Sequence, residues 1–282
     1  MPEGPEVECT KRGLKPIIGR KVKEIKLTTL SQKYPKYKAQ KGFFKVFSGK
    51  EIIDIERHGK FLVFKFDQEE AILNHLGMSG KWLLTDNIKK NSATHPKAII
   101  VMNEPPHAIF DDVRNFGQFR FFNNYDEVIK YRPIKTLGPD GLAEPFDIKE
   151  FVRRINKKNY SEKAIGEVLL NQSVVAGVGN IYKSESLYRS RIHPERKTGN
   201  LTSAEKKSLG KVIPEVLQKA VKSSGTTFGI QPFVTPEGDT GQAQDWLCVY
   251  AREGERCCSC EKKIERVVQE GRSTFYCPKC QE

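Results

Sequence analysis

The chain has 282 residues, 38% hydrophobic and 29% charged, enough for one large domain or two medium ones, each with its own core. Its 48 Lys and Arg against 35 Asp and Glu leave a net charge of +13 and a sequence pI near 9.3, which favours nucleic acid over a membrane surface or a merely basic soluble protein. No apolar run approaches the roughly 18 to 20 residues of a membrane span, and Met1-Pro2-Glu3-Gly4 lacks the basic and apolar regions of a signal peptide, so the expectation is a soluble, intracellular monomer without a membrane role.

The first element is a short helix over 5–15, entered through Gly4-Pro5 with proline at its start. Short runs rich in β-branched and aromatic residues follow at 43–47, 52–55, 61–66, 72–74, 82–84, 98–102, 108–110 and 119–122. Turn residues separate them at regular spacing, which predicts a β-sandwich or barrel. The stretch YRPIKTLGPDGLAEP, with three prolines and two glycines, interrupts regular structure and reads as a linker over 131–145. Beyond it, helical spacing predicts helices at 148–156, 162–170, 180–190 and 204–222. The expected organisation is α+β and multidomain: a helix plus β-sandwich over 1–130, the linker, a helical domain over 146–225, and a tail of turns and strands over 226–282.

Five of the seven cysteines fall in the last 26 residues, a clustering that suggests metal ligation rather than disulfides. Cys257-x2-Cys260 and Cys277-x2-Cys280 form two knuckles able to give four thiolates to one tetrahedral zinc, with VVQEGRSTFY as a hairpin between them. Cys258 offers a competing register, but Cys258-x-Cys260 closes too tight a loop. Four sulfur ligands leave no open position for water, so the metal is structural. Cys9 and Cys248 stand apart as small core residues.

The N-terminus MPEGPEVE offers a nucleophile. Removal of the initiator Met leaves Pro2 as a secondary amine, and an α-amino group of pKa about 7.7 to 8.0 is partly unprotonated at neutral pH. Attack on a sugar C1′ forms an iminium ion that acidifies C2′ and permits β-elimination, with Glu3 placed to shuttle protons. Alone, Pro2 is better read as a residue that merely precedes a helix.

MPEGPEVE, RHGKFL at 57–62, NHLGMSG at 74–80, DVRNFGQF at 112–119, TLGPDGL at 136–142, QSVVAGVGNIYKSESL at 172–187, RIHP at 191–194, SGTT at 224–227 and GRSTFYCPKC at 271–280 stand in one order along the whole chain. In this the sequence resembles the formamidopyrimidine-DNA glycosylase and endonuclease VIII family. The resemblance implies an N-terminal helix and β-sandwich, a helix-two-turns-helix domain and a zinc hairpin, with damaged DNA, double-stranded or single-stranded, lying between the domains. It implies base excision followed by strand cleavage. The implied catalytic set is Pro2, Glu3, the phosphate-contacting Lys60, and Arg272 as a bidentate phosphate donor at the hairpin turn. Asn180 in VAGVGN matches a phosphate contact at a helix start, with Gly177 and Gly179 allowing close backbone approach. His75 joins the DNA contacts, and Met78, Arg114 and Phe116 match residues inserted into the duplex when a base is flipped out.

Three positions depart from the family pattern: Asn115 replaces a second arginine, Gly166 a lysine common in members, and Asn171 an aspartate. They bear on lesion preference. The segment from Phe228 to Cys248, including TPEGDTG, has the length of a loop that caps 8-oxoguanine, while the lysine missing at 166 removes a donor near the base. The expectation is a broad range, with formamidopyrimidines good substrates, 8-oxoguanine cut less well and some oxidised pyrimidines removed. A non-catalytic zinc-dependent DNA-binding protein would equally explain charge and cysteines, but not Pro2-Glu3 together with Lys60. A metal-dependent nuclease would need an Asp, Glu and His cluster, and the sequence suggests none.

Overall fold

Helix α1 runs over Gly4–Gly13 with Glu3 as its N-cap and Pro5 in its first turn, and Lys11 and Arg12 suit the negative end of its dipole. In this computed structural model residues 2–28, 43–226 and 233–282 are described, the side chains of 43 and 44 excepted. The chain forms two units, Met1–Lys135 with Ser223–Gln242, and Thr136–Lys222 with Ala243–Glu282.

The first unit is a sandwich of two four-stranded antiparallel sheets. One has the order β1(Val22–Leu27), β6(Pro96–Met102), β7(His107–Asp111), β5(Lys81–Thr85); the other β2(Ile52–His58), β3(Phe61–Phe66), β4(Ala71–His75), β8(Gln118–Phe122). Both contribute to one core, where the fully buried Trp82 meets the rings of Phe64, Phe110 and Phe119 at 5.1, 5.3 and 6.0 Å. Each such phenylalanine contributes about 1.5–3 kcal/mol by burial. The indole N–H donates to Asn74 Oδ1 at 2.8 Å, so the polar edge of Trp82 is satisfied inside the core.

Strand β1 lies outside the expected runs; it carries no clean alternation, and its register shifts between Val22 and Glu24. One expectation changes. The run 43–47, expected as a strand, is a 3-10 turn: its aromatics recur three to four residues apart, Phe47 alone enters the core among the described side chains, and Gly49 at φ +83 turns the chain back.

The 131–145 stretch also differs from a free linker. Helices α2(Tyr125–Lys130) and α3(Arg132–Lys135) close the first unit. The glycines that follow dock on the second: Gly138 N–H donates to Gln172 O at 2.8 Å and Gly141 N–H to Ala176 O at 3.0 Å. At Gly138 a Cβ would lie 2.5 Å from Val174 O, so glycine is required by the close approach.

The second unit packs α4(Ile148–Ile155), α5(Ile165–Val168), α6(Asn180–Arg189) and α7(Ser203–Lys222) around Phe151, Leu209, Ile213 and Leu217. Helix α5 is shorter than the expected 162–170 because Ala164 is extended and bridges Lys197, while Ile165 and Gly166 N–H bond to Arg196 and Pro194 carbonyls. Helix α6 is buried on nearly every side, from Ile181 to Tyr188. The hairpin β9(Glu265–Gln269) and β10(Arg272–Tyr276) turns through Glu270 and Gly271, both at positive φ, as a two-residue connection requires. No described helix is long and apolar enough to cross a membrane.

The proposed capping segment 228–248 divides. Residues 228–232 lie outside the described ones. Residues 233–242 belong to the first unit, where Pro236 O accepts from Leu84 N–H and Pro236 abuts Gly13, and Ala243–Trp246 form a 3-10 turn of the second.

Candidate active site, DNA contacts and metal centre

The sequence-derived nucleophile Pro2 and its neighbour Glu3 are buried at the N-terminus of α1. The terminus is held by a carboxylate that sequence reading passed over. Glu6, 2% exposed, accepts the Glu3 N–H at Oε2 and the Thr226 N–H at Oε1, each at 2.8 Å. It thereby ties the start of the chain to the SGTT turn 220 residues on, where Ser224 and Gly225 have positive φ. The local signal was the spacing Glu3-x-x-Glu6, a capping box. Cys9 is a poor competitor as nucleophile, because burial first and the Glu6 carboxylate second push its thiol up to about 12.

Lys60, 9% exposed, sits in the turn between β2 and β3. Arg57 donates to Glu8 Oε2 of α1 and to Gly59 O, both at 3.0 Å, so α1 and the Lys60 turn are braced by one guanidinium. At Glu8, burial works against ionisation, but Arg12 and Arg57 prevail and its carboxyl titrates below the usual range.

His75 accepts the Gly77 N–H at Nδ1, 3.0 Å, which puts the ring proton on Nε2. Met78 and Phe116, 38% and 46% exposed, occupy two adjacent turns; a Cβ on Gly77 would lie 2.5 Å from Phe116 C and Gly117 N. Asp112, fully buried, joins these turns by accepting Ser79 Oγ at 2.6 Å and Gly117 N–H at 2.8 Å. Arg114 is exposed with its guanidinium 5.5 Å from the Phe116 ring. Asn115 stands at φ +59, a backbone conformation asparagine tolerates better than arginine. The three expected wedge residues are therefore brought together on one rigid pair of turns.

In the second unit Asn180 opens α6, and its Nδ2 donates to Ser273 O at 2.7 Å, next to Arg272 at the start of β10. Glu185, fully buried on α6, was not picked out from the sequence. It accepts the N–H groups of Cys248, Val249 and Tyr250 at 3.0, 2.9 and 3.0 Å and pairs with Arg189, anchoring the chain that leads into the metal hairpin. Of the other departures, Asn171 makes an Asx turn, Oδ1 accepting Ser173 N–H at 2.9 Å, a role aspartate would also fill. Gly166 abuts the buried Gln269, whose Oε1 would lie 2.2 Å from a Cβ there.

The sulfurs of Cys257, Cys260, Cys277 and Cys280 lie within 4.8 Å of one another, with Cys257 to Cys280 at 3.9 Å and Cys260 to Cys277 at 3.4 Å. Zinc with ~2.3 Å bonds to a tetrahedron of thiolates sets its sulfurs ~3.8 Å apart, so the four fit one structural zinc. Cys258 is exposed and hydrogen-bonded to Tyr188 at 3.2 Å, outside this set.

Residues 1–119 match the formamidopyrimidine-DNA glycosylase N-terminal domain, 137–231 the formamidopyrimidine-DNA glycosylase H2TH domain, and 254–282 the zinc finger found in FPG and IleRS. Proteins called formamidopyrimidine-DNA glycosylase from Lactococcus lactis subsp. lactis, Listeria monocytogenes and Bartonella quintana are 36%, 35% and 34% identical to this chain, each aligned over 100% of both partners. Among solved structures, a Lactococcus lactis FPG mutant with Fapy-dG-containing DNA is similar at TM-score 0.88 and 34% identity, covering 100% of both chains. The wild-type protein of that organism with DNA containing an oxidized pyrimidine is similar at 0.86 and 34%, again over 100% of both.

Proposed function

Because the chain belongs to the formamidopyrimidine-DNA glycosylase family, we propose that its reaction runs at the buried Pro2-Glu3 terminus of α1. The protein is a DNA glycosylase of base excision repair with an abasic-site lyase activity, and its partner is damaged DNA. The Pro2 nitrogen attacks C1′ of the damaged nucleotide and the base departs, leaving an iminium ion. That ion withdraws electrons from C2′, a proton is lost there, and the 3′ phosphate leaves; a second elimination releases the 5′ phosphate. Glu3 carries protons between these steps.

The observation that carries this reading is the Glu6 clamp, which holds the Glu3 backbone and a turn distant in sequence around one terminal residue. Lys60, Arg272 and Asn180 serve as phosphate contacts, His75 joins the DNA-binding surface, and Met78, Arg114 and Phe116 fill the space a flipped nucleotide leaves. The range of bases follows the same reading: formamidopyrimidines are good substrates, 8-oxoguanine is cut less well, and some oxidised pyrimidines are removed. Borohydride trapping on duplexes that differ only in the lesion tests both parts. Wild type, with Met1 absent by mass spectrometry, should give a covalent adduct and Pro2→Gly almost none. Undiminished trapping in Pro2→Gly would move the nucleophile to a lysine, and 8-oxoguanine as the best substrate by a wide margin would overturn the lesion order.

A further inference from the structure

Lys183 lies one turn into α6, and its side chain is cut off from solvent. Its Nζ donates to Asn180 Oδ1 at 2.8 Å and to Thr274 Oγ1 at 2.5 Å. The chain of bonds continues through the buried hairpin: Thr274 Oγ1 donates to Gln269 Oε1 at 2.9 Å, and Gln269 Nε2 to Pro194 O at 3.0 Å. Burying an ammonium is costly even when it is hydrogen-bonded, and an apolar side chain of equal length would fill the same space without that cost. The position of the charge therefore calls for an explanation beyond packing.

An ammonium only donates, so the atom of the Asn180 amide that faces Lys183 must be the oxygen. A backbone carbonyl only accepts, so the atom facing Ser273 O must be the nitrogen. Turning the amide over would set N–H against ammonium on one side and oxygen against oxygen on the other. Asn180 is thus fixed with Oδ1 inward, while Nδ2 has a second N–H that no bond among the described residues uses. A phosphate oxygen requires a donor, and the opposite orientation would offer it an oxygen.

We propose that Lys183 is a positioning residue for DNA phosphate recognition, holding the Asn180 amide in the orientation that presents an N–H and tying it through Thr274 to the strand that begins at Arg272. This rests on Asn180 acting as a phosphate contact.

The test compares wild type, Lys183→Met, Asn180→Ala and the double variant on a duplex carrying a tetrahydrofuran abasic analogue, with cleavage at saturating lesion DNA and zinc content measured alongside. Lys183→Met should weaken binding about tenfold, with the saturated rate within about twofold of wild type and zinc retained. In the Asn180→Ala background the same substitution should change affinity by less than about twofold. An undiminished tenfold loss in that background would make Lys183 a long-range charge and overturn the proposal. So would full affinity in Lys183→Met, and if Asn180→Ala alone weakens binding in that case, the phosphate reading of Asn180 survives without it. Full affinity in Asn180→Ala would overturn both. A second measurement holds even if Lys183→Met does not fold: by 15N-edited NMR of the unmutated protein, one Asn180 side-chain proton should resist exchange before DNA is added and the other only afterwards. Equal exchange of the two protons in both states would overturn the proposal.

Discussion

Replacing Glu6 by Gln isolates the clamp on the N-terminus, since the side chain keeps its size and loses one acceptor. In the native arrangement two buried backbone N–H groups, of Glu3 and Thr226, each meet one carboxylate oxygen at 2.8 Å. In Glu6→Gln only one can still meet an oxygen, and the other faces an amide N–H. A buried donor left unpaired costs about 1–3 kcal/mol. Taking about 2 kcal/mol, the melting transition should fall by roughly 4 to 8 °C. The effect on chemistry should be larger, because the lost bond either frees Glu3 or releases the 224–226 turn, and a displacement of about 1 Å at a reacting group costs on the order of 100-fold in rate. Single-turnover borohydride trapping at saturating abasic DNA measures that step, and calorimetry measures the stability. A lower melting temperature with trapping at the wild-type rate would reduce Glu6 to a helix brace. Unchanged behaviour in both assays would refute the clamp altogether.

Two further outcomes follow from the metal centre and the cationic contacts. Metal analysis should find one zinc per chain, retained in Cys258→Ser, whose sulfur lies outside the four-cysteine set, and lost in Cys277→Ser; chelation should weaken DNA binding more than it unfolds the rest of the chain, because the metal closes the hairpin whose second strand begins with Arg272. Neutralising Lys60 or Arg272 should lower affinity alike for all sequences and reduce the salt slope by about one unit each, whereas a sequence-selective loss with unchanged slope would remove them from the phosphate contacts.

The strands were legible where local chemistry decides them: FLVFKF and its neighbours are β-branched and aromatic, with turns between, and they form β2 to β8 near the expected positions. The cysteine knuckles and the hairpin turn were equally local. What escaped were the buried carboxylates. Glu6, Asp112 and Glu185 take their meaning from N–H and O–H partners that are, in the cases of Thr226 and Val249, 220 and 64 residues away, and no periodicity marks such a pairing. The same applies to Lys183, whose Thr274 partner is 91 residues distant. Along YRPIKTLGPDGLAEP the expected break comes only after the short helix Arg132–Lys135, and the glycines serve close docking within the second unit rather than freedom between two.

The interleaved path of the chain bears on how the enzyme comes into being. Residues 223–242 complete the first unit, yet the described α-helices of the second are made before them. A ribosome adding about 5–20 residues per second needs roughly 5 to 18 s to pass from Lys135 to Thr226. Throughout that interval the sandwich strands exist while the Glu6 carboxylate still lacks its Thr226 partner. The surroundings of Pro2 are thus the last part of the first unit to close, and a nascent or prematurely terminated chain carries the proposed reactive terminus without the Glu6 clamp. Repair competence arrives late in synthesis, when nearly the whole polypeptide is available to grip the DNA.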